Sequence, residues 1–185
     1  MDLDEAIYGR RSTREYTSDV VDEPAIRRLI EAAIHAPSGS NEQPWTFTVV
    51  RDQALLDQIS QASKSHYLAT MPTGPQSERH LMLADPQFHI FYHAPVLVVI
   101  SGTVQRGRIV EDCALAAQNL MLAAYGQGLG TCWIGFSQGY LNTPEGKRGL
   151  GIPETWVPVA PIIVGHPKTV PAPVARREPE IRWVG

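Results

Sequence analysis

Apolar positions recur along the chain in blocks whose period changes, and the periods lay out the elements. Leu3, Ala6 and Ile7 share one side of a short helix over residues 3 to 8, with Asp2 placed to cap it and Gly9 to stop it. A stronger helix follows Asp22: Pro24 stands in its first turn, and Ile26, Leu29, Ile30, Ala33 and Ile34 fall at the i, i+3, i+4, i+7, i+8 spacing before Pro37 and Gly39 end it. The β-branched and aromatic run from Trp45 to Val50 predicts a strand, after which Asp52 caps a helix carrying Leu55, Leu56 and Ile59. From Ser63 to His93 the pattern weakens. Met71-Pro72-Thr73-Gly74-Pro75 reads as a loop, and the polar residues around it predict a variable surface excursion over 63–93, either a lid or an insertion.

Order returns at Pro95 to Ser101, a run of β-branched and apolar residues that predicts a strand buried on both faces. Residues Ile109 to Tyr125 form the longest apolar helical pattern, nearly free of charge after Asp112, so this helix belongs at the centre. Gly126, Gly128 and Gly130 end it, Thr131 to Ile134 predicts a strand, and Ser137 to Pro153 reads as rich in turns. Val157 to Val164 is a last core strand in which Pro158 and Pro161 favour an edge or a bulge. The arm over 166–185 differs from all of this: Pro167, Pro171, Pro173 and Pro179 stiffen it, and Ile181 to Val184 is apolar enough to dock on a second subunit. The whole of 1–185 reads as a single domain with no internal repeat.

Composition narrows the chemistry. The chain has 185 residues, 43% hydrophobic and 19% charged, which suits one globular core. Sixteen basic against nineteen acidic residues leave a net charge of −3, so no overall field draws a nucleic acid to the surface. Cys113 and Cys132 form no Cys-x-x-Cys, which speaks against a zinc knuckle or a disulfide framework and suits a reducing compartment. Asp2, Asp4 and Glu5 open the chain where a signal peptide would carry basic residues, and no run approaches about 18 apolar residues. The expectation is a soluble cytoplasmic protein without membrane contacts.

Four groupings carry chemistry. Arg10-Arg11-Ser12-Thr13-Arg14 offers three guanidinium forks and two hydroxyls, a donor set that fits phosphate oxygens, although a solvated basic run is the plainer alternative. Ala36 to Trp45 holds Ser38, Ser40, Asn41 and Gln43, more donors and acceptors than a helix-to-strand turn uses, and suits the polar edge of a flat heterocycle. Gly126-Gln127-Gly128-Leu129-Gly130 is not a dinucleotide turn, because the helix precedes it and the strand follows. Gly135-Phe136-Ser137-Gln138-Gly139 matches a serine hydrolase elbow, with Glu145 or Glu154 and then His166 in the right order. The glycines and prolines after Tyr140 speak against the helix that elbow requires. His89 and His93, four apart, lack a third ligand at a telling distance, and no metal is expected.

Arg10 to Arg14, then Ala36-Pro37-Ser38 with Asn41 and Gln43-Pro44-Trp45, then Gly128-Leu129-Gly130 leading to Trp133-Ile134-Gly135, and a late Arg176-Arg177, together resemble the FMN-dependent nitroreductase family over nearly the whole chain. The resemblance implies an α+β fold, a central mostly antiparallel sheet packed by helices. It also implies an intertwined homodimer with FMN at the interface and exchange of the C-terminal strand. By that resemblance Arg10 and Ser12, helped by Arg11, hold the cofactor phosphate, and Arg177 closes on it from the tail. Ala175 stands where the family often has a further basic residue, for which Arg176 is the substitute. Arg14 resembles the cation near flavin N1 and O2. Pro37, Ser38, Ser40, Asn41 and Gln43 would line the ring, and Ile134 and Gly135, with Trp133 beside them, resemble the backbone that faces N5. The implied activity is ping-pong hydride transfer from NADH or NADPH through FMN to a small-molecule electron acceptor such as a nitroaromatic or quinone. A narrower reduction of an enal or aldehyde, an oxygen-dependent oxidation, flavin binding without turnover, and the Ser137 hydrolase are the alternatives.

Overall fold

The structure is a computed structural model that describes residues 2–71, 77–103 and 107–185. The loop expected at Pro72 to Pro75 lies outside the described residues. Asp2, Asp22 and Asp52 each accept a backbone N–H of the following first turn, starting helices α1 (Leu3–Gly9), α2 (Glu23–Ile34) and α3 (Gln53–Thr70) where the sequence places their caps. The remaining elements are α4 (Glu78–Ala84), α5 (Ile109–Gly126), α6 (Gly135–Leu141) and α7 (Pro144–Gly149), with strands β1 (Trp45–Val50), β2 (Val96–Gly102), β3 (Gly130–Trp133) and β4 (Val157–Gly165). The sheet runs β1-β2-β4-β3 with every neighbouring pair antiparallel. Among the described residues no helix is long and apolar enough to cross a membrane.

Alternate residues of β2 serve two cores. Val96, Val98 and Ile100 pack with α2 and α5 through Ile26, Leu29, Cys113, Ala117 and Leu120, while Leu97 and Val99 pack with Leu56, Ile59, Phe91 and Leu141 on the other face. The result is a helix–sheet–helix sandwich, the α+β architecture expected. β4 is the other central strand, not an edge. Its register against β2 shifts between Ile100 and Ser101, which face Ala160 and Pro158, so the bulge expected from the prolines is present and absorbs Pro158.

Two stretches are more helical than their sequence suggests. α3 continues through Ser63 to Thr70 with a polar inward face that is largely satisfied: the buried Lys64 ammonium donates to the carbonyls of Asp85 (2.6 Å) and Phe88 (2.8 Å), and the buried Ser60 hydroxyl accepts the Ile90 N–H, while the buried Ser63 hydroxyl has no partner among the described residues. Between Ser137 and Pro153, where turns were expected, α6 and α7 form. A Cβ on Gly146 would run into the Tyr140 carbonyl, so that glycine marks a close helix contact and not a turn.

His89 and His93 lie in a turn, not on a helix, and α3 brings Asp57 to them, so that ligand atoms of all three fall within 4.8 Å of one another. The His89 Nδ1 accepts the Phe91 N–H (3.2 Å), so in the neutral ring Nε2 carries the proton and donates it to Asp57 Oδ1 at 3.2 Å, leaving no lone pair for an ion. Burial, then the stacked His93, hold the His89 pKa below the ordinary imidazole value, against the pull of Asp57. The neutral ring is therefore the folded form. Its stabilising effect is complete above the unfolded value of about 6.5 and is lost as pH falls from there through the folded pKa. The urea midpoint is expected to drop between about pH 7.5 and about pH 5, and His89→Gln, which keeps a donor toward Asp57, should shrink that drop.

Candidate active site

The chain between α1 and α2 reaches the sheet margin because two glycines let it approach. A Cβ on Gly130 would collide with the Thr13 side chain, and Gly128, at φ +73°, ends α5 in a conformation glycine adopts freely. Thr13 N–H donates to the Thr131 carbonyl at 2.9 Å and Ser12 bridges Thr131, so Arg10 to Arg14 run beside β3. The Tyr16 hydroxyl donates to the Thr13 carbonyl at 2.7 Å and fixes that course from inside.

Where β3 passes into α6 a cavity of about 420 Å³ opens, walled by Arg14, Trp133, Ile134 and Gly135. The sequence pointed to these four. Tyr67 of α3, Arg79 of α4, Tyr92, Cys132 and Phe136 complete the wall, and of these the sequence analysis assigned none to a site. Cys132 and Phe136 flank the Trp133-Ile134-Gly135 stretch and so were within reach of sequence reasoning. Tyr92 was not, since its left-handed φ of 50° and its approach to Arg14 come from tertiary packing. The Ile134 N–H is committed to the Pro161 carbonyl at 2.8 Å, and the N–H of Gly135, the first residue of α6 and part of the cavity wall, has no protein partner among the described residues. A Cβ on Gly135 would meet nothing within 4 Å, so the wall there is bare backbone.

One charged network adjoins the cavity. Tyr92 and Arg14 wall the cavity together; burial raises the phenol's pKa and the neighbouring Arg14 charge opposes the rise. Burial likewise pushes up the Cys132 thiol, against the pull of Arg14, a hydrogen bond with Ser12, and Arg10. Arg10 itself is held below the ordinary guanidinium range, first by burial and then by the like charges of Arg11 and Arg176. It stays protonated all the same. Among the described residues no carboxylate pairs with Arg10, Arg14 or Arg176. Arg10 is half-buried and Arg14 and Arg176 are exposed, so this margin carries an excess of positive charge that would attract an anion.

Two expected phosphate ligands sit differently. Arg11 turns back on its own chain, its Nη1 donating to the carbonyls of Tyr8 (2.7 Å) and Arg10 (2.9 Å), where it caps the end of α1. Arg177 lies in the arm, which is tied to the body through Pro167 and Lys168 by Tyr16 and Glu15 and is exposed from Ala172 onward. Ile181, Trp183 and Val184 at its end are exposed, Trp183 by 90%.

Of the loop residues, Ser40 lines one further cavity, of about 410 Å³, and Pro37 and Ser38 another, of about 330 Å³, each with Arg108, which precedes α5, and Asp112 of α5; Asn41 and Gln43 line neither. These two share no wall residue with the cavity at Arg14. Ser40, Asn41 and Gln43 all have positive φ (53°, 56° and 49°), a conformation that costs side-chain-bearing residues energy. It is held from within, Gln43 N–H donating to Ser38 Oγ (2.9 Å) and Gln43 Nε2 to Asn41 Oδ1 (3.1 Å), and from outside by the buried Asp112, whose Oδ1 accepts the Gly39 N–H at 3.0 Å. The serine elbow fails on geometry. α6 does follow β3 closely, contrary to expectation, but Ser137 is fully buried and its hydroxyl donates to the Ile134 carbonyl at 3.0 Å, which removes it as a nucleophile.

The sequence profile of the Nitroreductase family matches residues 7–166. A Methanothermobacter thermautotrophicus protein named for NADH dehydrogenase/NAD(P)H nitroreductase activity is 34% identical over 92% of this chain and 80% of its own length. A similarly named Archaeoglobus fulgidus protein is 32% identical over 88% and 83%. The crystal structure of a nitroreductase with bound FMN from Bacteroides fragilis superposes with a TM-score of 0.86, at 25% identity and full coverage of both chains.

Asp112→Ala should cost about 1.5 to 3 kcal/mol, as expected for a lost hydrogen bond to a charged acceptor, and quicken hydrogen exchange at the Gly39 amide. Asp112→Asn, which keeps an acceptor, should restore most of both in denaturation and exchange measurements.

Proposed function

This chain belongs to the nitroreductase family, and from that premise we propose that it is an FMN-dependent NAD(P)H oxidoreductase acting in a ping-pong cycle on nitroaromatic, quinone or similar acceptors. The observation that carries the reading is the cavity where β3 meets α6, with bare backbone and an unpartnered N–H on one wall and uncompensated arginines beside it. A flat polar ring with a phosphate tail fits that donor set, because the wall offers an N–H and a cation to the ring and the neighbouring cluster offers charge to the phosphate.

When bound, FMN would supply the redox chemistry, two-electron transfer between NADH or NADPH and the acceptor. The protein's work is to bind and orient. Arg10 and Ser12 hold the phosphate, Arg176 adds its charge in place of the basic residue missing at Ala175, and Arg177 closes from the tail. Gly135 would offer its N–H to the flavin near N5, with Trp133 beside it and Ile134 anchored to β4 through the Pro161 carbonyl. Arg14, beside Tyr92, places a positive charge by N1 and O2, where reduction gathers negative charge. No side chain has to act as an obligatory acid or base, since solvent delivers protons to the reduced acceptor.

The ring is enclosed by loop 37–43 of a second copy, so that the working unit is a homodimer. Three features support this: the loop and the Arg14 cavity share no wall, β1 leaves one sheet edge unpaired, and the arm carries Ile181, Trp183 and Val184 away from its own body as an apolar segment suited to adding a strand.

Purified protein should show a yellow flavin spectrum that bleaches with NADH or NADPH under nitrogen, and parallel steady-state lines. A colourless protein that also ignores added FMN would overturn the assignment. Arg14→Ala is expected to keep FMN and slow its reduction about tenfold, about 1.4 kcal/mol of barrier, in stopped-flow measurements; an unchanged rate would remove the role given to Arg14.

A further inference from the structure

Among the described residues both charges on the wall of the 420 Å³ cavity are positive: Arg14 and Arg79 line it, and no carboxylate does. Arg14 neighbours Tyr92 and stands by the proposed flavin position. Arg79 has no hydrogen-bond or ion-pair partner among the described residues. Its direction is set by the fold. Arg79 and Leu83 are four apart on α4 and share one face, and Leu83 is fully buried, so that face is pinned against the body and carries Arg79 to the cavity rim. Tyr67 and Phe136 line the same cavity, packed edge to face at 5.3 Å and 88°, and Trp133 lines it too. Aromatic edges and faces at that spacing receive a flat ring.

We propose that Arg79 makes this cavity selective for aromatic acceptors that carry a carboxylate, the guanidinium fork taking the carboxylate while the rings hold the aromatic body beside the flavin. This rests on the flavoenzyme reading above. The cation and the rings share one small cavity, so the anionic group and the aromatic ring belong to one compact molecule. The phosphates of NADH or NADPH are set apart from the nicotinamide by a whole ribose and match that spacing less well.

The test uses FMN-loaded protein titrated with sodium benzoate and with benzamide, which has nearly the same shape without the charge, following the perturbation of the flavin absorbance. Benzoate is expected to bind about tenfold more tightly, with the advantage falling as salt is added. Arg79→Gln should bring the ratio close to one, and Arg79→Lys should keep part of it. Neither variant should change FMN content, because Arg79 is assigned to the acceptor and not to the cofactor. kcat/KM for 4-nitrobenzoate over 4-nitrobenzamide should follow the same order. Equal binding of the two ligands by wild-type protein, a preference that survives in Arg79→Gln, or a raised KM for NADPH with the preference intact would each overturn the proposal. A protein that takes up no FMN would instead fail at the earlier reading, so the two failures are distinguishable.

Discussion

Burial of β2 and β4 on both faces is the constraint from which the rest follows. With Val96, Val98 and Ile100 committed to the core under α2 and α5, and Leu97 and Val99 to the core under α3 and α6, the middle of the sheet has no room for a polar site. Polar chemistry is displaced to the margins. At one margin β3 passes through Ile134 into α6; Ile134 N–H is already bonded to the central strand, and the next amide, at Gly135 in the cavity wall, has no protein partner among the described residues. The basic segment Arg10 to Arg14 lies along that same margin because Gly130 allows Thr13 to approach. Cavity, free backbone donor and cationic cluster thus meet at one place as a consequence of how the core is filled.

The other margin is left incomplete. β1 pairs only with β2, and loop 37–43 is held in a costly left-handed conformation by its own hydrogen bonds and Asp112; elsewhere, the arm beyond Pro171 presents its apolar end to solvent. Strain retained in a loop and apolar surface left uncovered are both accounted for if a second copy meets them. Asp112 belongs to this picture. It is a buried carboxylate in the first turn of α5, where the helix favours negative charge, and it fastens the loop through Gly39.

Much of this was legible in the sequence, for reasons that can be named. Helix starts at Asp2, Asp22 and Asp52 were readable because capping is local, and the two-sided burial of β2 because an unbroken β-branched run has no polar face to offer water. Arg14, Trp133, Ile134 and Gly135 fall on one cavity because three of them are consecutive at a strand end. The misses share a cause. The second half of α3 hid its period because Ser60, Ser63 and Lys64 are buried polar residues, Ser60 and Lys64 being paired with groups from elsewhere in the chain, α6 and α7 were masked by glycines of which Gly139 and Gly146 sit in close contacts, and β4 by prolines that a bulge accommodates. Tyr92 and Arg79 reach the cavity only through tertiary structure, and no local pattern marks them.

The central claim is that each flavin site is built from the Arg10 cluster of one copy and loop 37–43 of another. Co-expression of Arg10→Ala and Ser40→Glu chains under separate affinity tags tests it directly, by counting FMN in the purified mixed dimer when neither parent dimer holds any. A site shared between copies restores one FMN per mixed dimer, because one interface then has both halves intact. A mixed dimer without FMN would contradict the account and confine each site to a single chain.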